Sequence, residues 1–407
     1  MNFVTDASTA EIPVLAFGGT VTVLGVARAF GRAGIPVLTY TEPGELVTRS
    51  RYYRPLSSSP IPDPKAPAAA RLEAILRAIP MQRGVLVPCS DVWTEATVAL
   101  PEDLKLRFPA SVPSQETITT LVDKGRLAAV MAELGLPHPR SFAVDRREDF
   151  DAIDERVFES AFLKPKSSAK FLQAFGVKGW IVRSRAAAAE KLRAAQAAGC
   201  EMILQEYVPG PPTAHHFIDG FIDKAGVVRA RFARQRIRMH PADFGNSTYM
   251  VSEPLDHVQP ALDSLDRLLG VLRYRGIFSA EFKQDPRDGR FHLIEVNVRP
   301  WWYVGFAESC GVHVCALAYS DALGLPLPVL KPYPVGRTCA YPFVDLSGYR
   351  WHRSRGDSSY ASLGTCVRQW LGSHQPIFAW DDPAPALSNF FALARTSLNK
   401  RLAPRPA

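Results

Sequence analysis

The stretch from Gly276 to Trp302, GIFSAEFKQDPRDGRFHLIEVNVRPWW, limits the fold more than any other part of the sequence. Apolar and polar residues alternate with the period of two that marks a strand. The pattern runs twice, over Ile277–Gln284 and Phe291–Val298. Between the two runs Asp288-Gly289 is a dipeptide suited to positive φ in a hairpin turn. In the second run Ile294, Val296 and Val298 point to one side, and Glu295, Asn297 and Arg299 to the other. In the first, Ile277, Ser279, Glu281 and Lys283 share a face. The apolar side belongs in a core. The other carries two carboxylates and an amide oxygen, the oxygen-only donor set that hard divalent cations prefer. A three-residue loop of Arg287-Asp288-Gly289, with Gly289 left-handed, sets Glu281 opposite Glu295. Like charges so placed are unfavourable unless a cation lies between them. The same pattern describes the solvated face of an ordinary hairpin, and local spacing does not separate the two.

At 407 residues the chain exceeds one ordinary core, and its length implies roughly two to four domains. A net charge of +8, from 48 basic and 40 acidic residues, favours acidic ligands such as phosphates, carboxylates or nucleic acid. No apolar run approaches the ~20 residues of a membrane span. The first residues show no charged segment followed by a long apolar one, so no secretory signal is expected. Cys89, Cys200, Cys310, Cys315, Cys339 and Cys366 form no CxxC pair, which fits a reducing, cytoplasmic setting. Cys310, His313 and Cys315 sit among apolar residues that favour a buried helix over a metal centre.

Taken in order, residues 12–40 read as strand, glycine turn, helix and strand, a βαβ unit with Val23, Val26, Ala27 and Phe30 at helical spacing. Its turn, GGTVTVLG, is not the GxGxxG of a dinucleotide site, and the acidic residue after the second strand is Glu42 in a Thr-Glu-Pro turn. Parallel α/β structure continues through the strand Gly84–Cys89, with Ser90-Asp91 at its end, to about Pro113. A helix pair, Ser114–Leu134, contains Asp123-Lys124 and stops at Gly135-Leu136-Pro137. The strand AFLKPK, Ala161–Lys166, places Lys164 and Lys166 on one face. A loop, SSAKFLQAFGVKGW, brings Lys178 nearby. The strand MILQEY, Met202–Tyr207, ends at Val208-Pro209-Gly210. Beyond a hairpin of His216–Ile222 and Val227–Phe232 lie Arg229, Arg231, Arg234, Arg236 and Arg238. So dense a set of guanidiniums needs an anion or an acidic partner, or else marks a solvated edge strand. After about Leu325 the sequence turns Pro-, Ser- and Trp-rich, then forms an amphipathic basic helix over Leu387–Leu402. For that helix, packing on its own domain is favoured over a membrane surface.

In this order the pieces resemble the ATP-grasp superfamily, in its carboxylate–amine ligase branch (D-aspartate ligase-like and carbamoyl-phosphate-synthase-like), over roughly residues 12–325. EFK at 281–283 with EVNVR at 295–299 looks like the family's magnesium-binding strand pair, LQEYVPG at 204–210 like its adenine segment, and FLKP at 162–165 like its phosphate-lysine strand. The resemblance implies an α/β and α+β fold of ATP-grasp architecture. Residues 1–113 would be an N-terminal parallel α/β domain and 114–200 a helical linker and lid. The antiparallel catalytic subdomain would span 201–325, followed by a C-terminal extension, 326–407. It implies ATP and Mg2+, with Mn2+ as substitute, held by Glu281, Glu295 and Asn297. Lys124, Lys164 and Lys178 would meet the phosphates, Lys166 being the alternative to Lys164. Gln205, Glu206, Tyr207 and Val208 would hold the adenine, and Arg236, Arg238 and Arg299 would surround the transferred phosphoryl group. Gly18, Gly19 and Thr20 would help bind a substrate, with Trp301 and Trp302 as pocket walls or core. Two departures stand out: Ser, Ala, Lys and Phe replace a glycine-rich clamp after Lys166, and Val298 replaces a proline.

The expected reaction is ADP-forming carbon–nitrogen ligation of a small-molecule carboxylate and amine, with a homodimer as the assembly allowed. A bicarbonate-activating carboxylase is the near alternative. A nucleic-acid binder built on Arg229–Arg238 lacks interleaved stacking aromatics and leaves the carboxylates unexplained.

Overall fold

The computed structural model describes residues 12–56, 63–165, 168–177, 179–242 and 245–392. Strands β1 (Val14–Phe17), β2 (Val37–Tyr40), β3 (Arg54–Pro55) and β4 (Val85–Pro88) pair in parallel in the order β3-β2-β1-β4. Helix α1 (Thr20–Arg32) lies on one face, and α2 (Ala68–Ala78), α3 (Asp91–Val98) and α4 (Glu102–Arg107) supply the other. In β1, Val14 and Ala16 enter the first core while Leu15 and Phe17 enter the second, so every residue of the strand is apolar. Helices α5 (Gln115–Val122) and α6 (Lys124–Glu133) break at Asp123, whose carboxylate accepts the Gly125 and Arg126 N–H groups at 2.9 Å. That cap fixes Lys124 as the first residue of α6.

The lid is a four-stranded antiparallel sheet of β5 (Ser141–Val144), β6 (Ala161–Pro165), β7 (Trp180–Val182) and β8 (Met202–Glu206), ordered β5-β8-β6-β7. Because β8 pairs with both β5 and β6, the lid runs past residue 200. The segment expected as a loop after Lys166 instead forms α7 (Ser168–Phe175), and α8 (Arg185–Ala197) follows β7. Phe171 and Phe175 pack on Trp180 at 4.6 and 4.8 Å between ring centroids; an aromatic stripe at helical spacing outweighs the missing start signal.

The catalytic sheet has six antiparallel strands: β9 (His215–Ile222), β10 (Val228–His240), β11 (Asn246–Glu253), β12 (Gly276–Gln284), β13 (Phe291–Asn297) and β14 (Thr338–Ala340), ordered β13-β12-β9-β10-β11-β14. The arginine-bearing strand is therefore interior, and it is longer than the pattern over Val227–Phe232 suggests. One face packs with α1, α10 (Val304–Ser309) and α11 (Val314–Leu323) in a core shared with the N-terminal domain. The other packs on α5, α6 and α9 (Gln259–Val271).

The Pro- and Ser-rich extension is ordered by long-range contacts. It adds β14 to the catalytic sheet, then α12 (Pro342–Arg353) and α13 (Leu363–Gly372), and returns to the N-terminal domain. There the buried Arg28 donates Nε to Asp382 at 2.9 Å and its other nitrogens to the carbonyls of Pro376, Ile377 and Asp382. Ser50 Oγ completes the junction, donating to Asp382 at 2.7 Å. Among the described residues no helix is long and apolar enough to cross a membrane.

Candidate active site

Glu281 does stand opposite Glu295, and Ser279 opposite Asn297. The route to that register differs from the expected one. Asp285 N–H bonds to Arg290 O at 2.9 Å, so the loop holds Pro286–Gly289, with Gly289 at φ 71°. A four-residue loop alone would shift the pairing by one. The register is restored by a β-bulge: Phe282 pairs with Leu293 while Glu281 pairs with Glu295, leaving Ile294 as the extra residue. Leu293, Val296 and Val298 consequently face the core beneath the sheet, and Ile294 turns with Glu295 and Asn297 to the opposite side. The sequence pattern had assigned Ile294 to the buried face.

That side opens into a cavity of about 530 Å³ between lid, catalytic sheet and N-terminal domain. Lys124, Lys164, Gln205, Glu206, Tyr207, Val208, Arg236, Glu281, Glu295, Asn297 and Arg299 all line it. Lys166 and Lys178 lie outside the described residues. Lys164 Nζ donates to Gln205 Oε1 at 3.3 Å, and Lys124 Nζ to the Pro165 carbonyl at 3.2 Å. Burial and the neighbouring Lys164 push the Lys124 ammonium down to about 8, against the pull of Glu295 and Asp91. Burial likewise lowers Lys164, partly offset by Glu295 and Glu281. Two mutually repelling ammonium groups buried beside one cavity favour a bound anion.

On the facing floor, Glu281 Oε1 forms an ion pair with Arg236 Nη2 at 3.1 Å and contacts His215 Nδ1 at 2.7 Å. Burial by itself raises the Glu281 carboxyl, but Arg236 and His215 outweigh it and hold the group well below the usual carboxylate range. Burial pushes His215 down to about 4, so its ring is neutral at pH 7. Asn297 Nδ2 donates to Glu295 Oε1 at 3.4 Å, which leaves the amide oxygen as its acceptor. Two carboxylates and that oxygen on one face fit a divalent cation by donor type.

The five arginines of β10 each meet a carboxylate. Arg229 pairs with Asp223 at 2.5 Å, Arg231 with Asp266 at 2.7 Å, Arg234 with Asp219 at 2.7 Å, Arg236 with Glu281 at 3.1 Å and Arg238 with Asp345 at 2.7 Å. Only the Arg236 pair borders the cavity. Arg238, expected beside the phosphoryl group, is turned away. The register of β10 against β11 slips between Arg236 and Arg238, so the two do not share a face as an unbroken strand would require. Arg238 forks onto the fully buried Asp345 of α12, donates to Gln369 Oε1 at 2.7 Å and lies over the Tyr249 ring at 4.4 Å. Arg236 is held by Ser247 Oγ at 2.9 Å and by the Phe217 ring at 5.0 Å.

Other expected contributors sit elsewhere. Thr20 N–H, at the start of α1, donates to the Glu45 carboxylate at 2.6 Å, and Gly18, Gly19 and Thr20 do not line the cavity. Trp301 is core, 3% exposed, and neither it nor Trp302 reaches the cavity. The Glu206 carboxylate is drawn to Arg140 and Arg287 at 3.2 and 3.0 Å. The cavity also gains Asp91, His215, Lys283, Met239 and Asn246, which sequence reasoning did not assign. Lys283 was legible, since it alternates onto the face of Glu281; its ammonium lies 4.6 Å from the Tyr207 ring centroid. Asp91 opens α3 behind the Ser90 cap and accepts from Arg299 Nε at 2.9 Å. Nothing local signals that pairing across 208 positions.

A parallel α/β domain, a four-stranded lid and a larger antiparallel sheet closing on one cavity is the arrangement of several solved structures. A carboxyaminoimidazole ribonucleotide synthase from Aspergillus clavatus, complexed with ATP, matches 85% of this chain and 87% of its own at TM-score 0.61 and 14% identity. Biotin carboxylase from Campylobacter jejuni matches 82% and 75% at TM-score 0.61 and 15% identity. An L-amino acid ligase from Bacillus licheniformis matches 77% and 74% at TM-score 0.56 and 15% identity. No family model matches the sequence. The likeness shows that the chain shares the fold of these proteins, the architecture that the ATP-grasp resemblance implies. By sequence it is similar to D-aspartate ligase of Enterococcus faecium (strain Aus0004), 25% identical over 325 residues, 76% of each chain.

Proposed function

We propose that this protein uses ATP to convert a small-molecule carboxylate to an acyl phosphate and couples it to an amine, releasing ADP and phosphate. The observation that carries this reading is one cavity in which Glu281, Glu295 and Asn297, with Arg236 beside them, face Lys124 and Lys164. A carboxylate is a poor acyl donor because its oxygen leaves badly. In the first step its oxygen attacks the γ-phosphorus, the bond to the β–γ bridging oxygen breaks, and ADP departs. The amine then attacks the acyl carbon, the bond to the phosphate oxygen breaks, and the amine loses a proton. Such transfers depend on positioning and charge neutralisation, not on a protein nucleophile.

Glu281, Glu295 and Asn297 would hold Mg2+ or Mn2+. When bound, that cation neutralises the charge on the β- and γ-phosphates. Lys164 and Lys124 grip the phosphates, and the segment Gln205–Val208 borders the adenine. Arg236, fixed by Ser247 and Phe217, meets the transferred phosphoryl group. Arg299, oriented by Asp91, meets the acyl oxygen. The test is an ADP-release screen with Mg-ATP that crosses a panel of carboxylic acids, bicarbonate included, with a panel of amines. The expected result is ADP formed only when a particular acid and amine are both present. ADP formed with bicarbonate alone would assign a carboxylase-type reaction instead. Binding of Mg-ATP with no turnover on any pair would overturn the ligase reading.

A further inference from the structure

The outer face of the C-terminal extension is apolar and positively charged. Leu371, Trp380, Leu387, Phe390 and Phe391 are 83%, 90%, 57%, 51% and 66% exposed. On α13 the exposed Leu363, Val367 and Leu371 recur at every fourth residue, a stripe turned away from the fold. The inward side of the same helix carries Cys366, fully buried, and Trp370, whose Nε1 donates to Asp345 at 2.8 Å. A helical segment over 384–392 presents Leu387, Phe390 and Phe391 at i, i+3 and i+4. It is seated on α12 through Phe343 and Phe390, 6.1 Å between ring centroids. Packing on α12 leaves most of the apolar surface of this described segment exposed; residues 393–402 of the expected helix lie outside the described residues.

The carboxylates of the extension are already paired. All four carboxylates over residues 341–392 are engaged: Asp345 with Arg238 at 2.7 Å, Asp357 with His352 at 2.5 Å, Asp381 with Arg32 at 2.7 Å and Asp382 with Arg28 at 2.9 Å. Arg350, Arg353, Arg355 and Arg368 are exposed, and none has a carboxylate partner among the described residues. Residues 393–407 add Arg395, Lys400, Arg401 and Arg405 and no acidic residue.

We infer that this face docks peripherally on the surface of an anionic lipid bilayer. Exposed bulky apolar side chains together with exposed arginines that lack a carboxylate partner suit the boundary between acyl chains and acidic headgroups. The α13 stripe of Leu363, Val367 and Leu371 has no π-face for stacking on nucleic-acid bases, while Trp380, Phe390 and Phe391 suit a bilayer boundary as amphipathic or apolar rings. A second copy joined about a two-fold axis would set arginine against arginine. A bilayer bearing acidic headgroups accommodates both the charge and the apolar groups.

The experiment is flotation of the 407-residue chain with liposomes of phosphatidylcholine alone or mixed with phosphatidylglycerol, beside sedimentation velocity without lipid. The expected result is binding to the mixed vesicles alone and release by raised salt. Phe390→Ser with Phe391→Ser, and separately Arg353→Gln with Arg355→Gln, should each lower the bound fraction about fivefold or more. Both variants should keep the thermal shift that Mg-ATP gives the parent, which shows the fold and the nucleotide cavity intact. Absence of binding to the mixed vesicles overturns the inference. So does a dimer that Phe390→Ser with Phe391→Ser abolishes, or salt-sensitive RNA binding in place of vesicle binding.

Discussion

Glu281 and Glu295 face each other directly across the β12–β13 ladder, at the floor of a cleft whose opposite wall carries two lysines. Arg236 and His215 already engage Glu281, whereas the partner found for Glu295 is the Asn297 amide. The pair is thus asymmetric. Glu281 is held ionised by Arg236 and His215, whereas Glu295 is the carboxylate that acts on both Lys124 and Lys164.

Glu295→Gln is expected to abolish ATP turnover while leaving the melting temperature within a few degrees of the parent. The side chain is half-buried at the cavity edge and is not part of a core. Calorimetric titration of Mg2+ in the presence of ATP, beside ADP release, checks the assignment. Full activity in the variant would remove Glu295 from the cation site.

Nucleotide affinity should fall as pH rises above about 8. In the proposed site Lys124 would bind phosphate in its charged form, and burial beside Lys164 lowers it to about 8. Binding below that pH finds the ammonium already charged; above it, the ligand must draw in a proton. Calorimetry in buffers of different ionisation enthalpy would read the proton uptake, and Lys124→Gln should bind ATP more weakly and lose that uptake.

Arg238 tests structure against resemblance. Asp345 accepts from Arg238, Thr248 and Tyr360 as well as Trp370, so Asp345→Ala strands a buried guanidinium and should cost about 3–5 kcal/mol in denaturant unfolding. Arg238→Met with Asp345→Leu should recover part of that loss and retain ADP release. A refolded double variant with no activity would return Arg238 to the chemistry.

His374 gives the fold an acid-sensitive joint. Its ring stacks on Phe306 at 6.1 Å, its backbone pairs with Thr338 and Ala340, and burial lowers it from 6.5 to about 4. Between those values the unfolded chain takes up a proton that the folded protein refuses. The contribution is therefore complete above pH 6.5 and is lost as pH falls toward 4. Urea unfolding across that window should show a declining stability, and His374→Gln should flatten the decline above the range where carboxylates begin to titrate.

Much of this molecule is local in origin. Alternation of side chains sets the two faces of β12 and β13, apolar runs set the buried parallel strands, and Asp123 caps the helix that opens with Lys124. Those devices act within a few residues, so the sequence alone determined most of the elements and the donor chemistry of Glu281, Glu295 and Asn297, while the phosphate role proposed for Lys124 and Lys164 came from the resemblance. The tertiary structure decided which charges remain for a ligand. Five arginines in one strand look equivalent in sequence, but four are neutralised by Asp223, Asp266, Asp219 and Asp345, leaving Arg236 at the cavity. The bulge that exposes Ile294, the slip in β10 that turns Arg238 aside, and the approach of Asp91 to Arg299 belong to the same class. Each depends on which carboxylate or strand arrives from far along the chain, because a buried charge is tolerated only where a partner meets it.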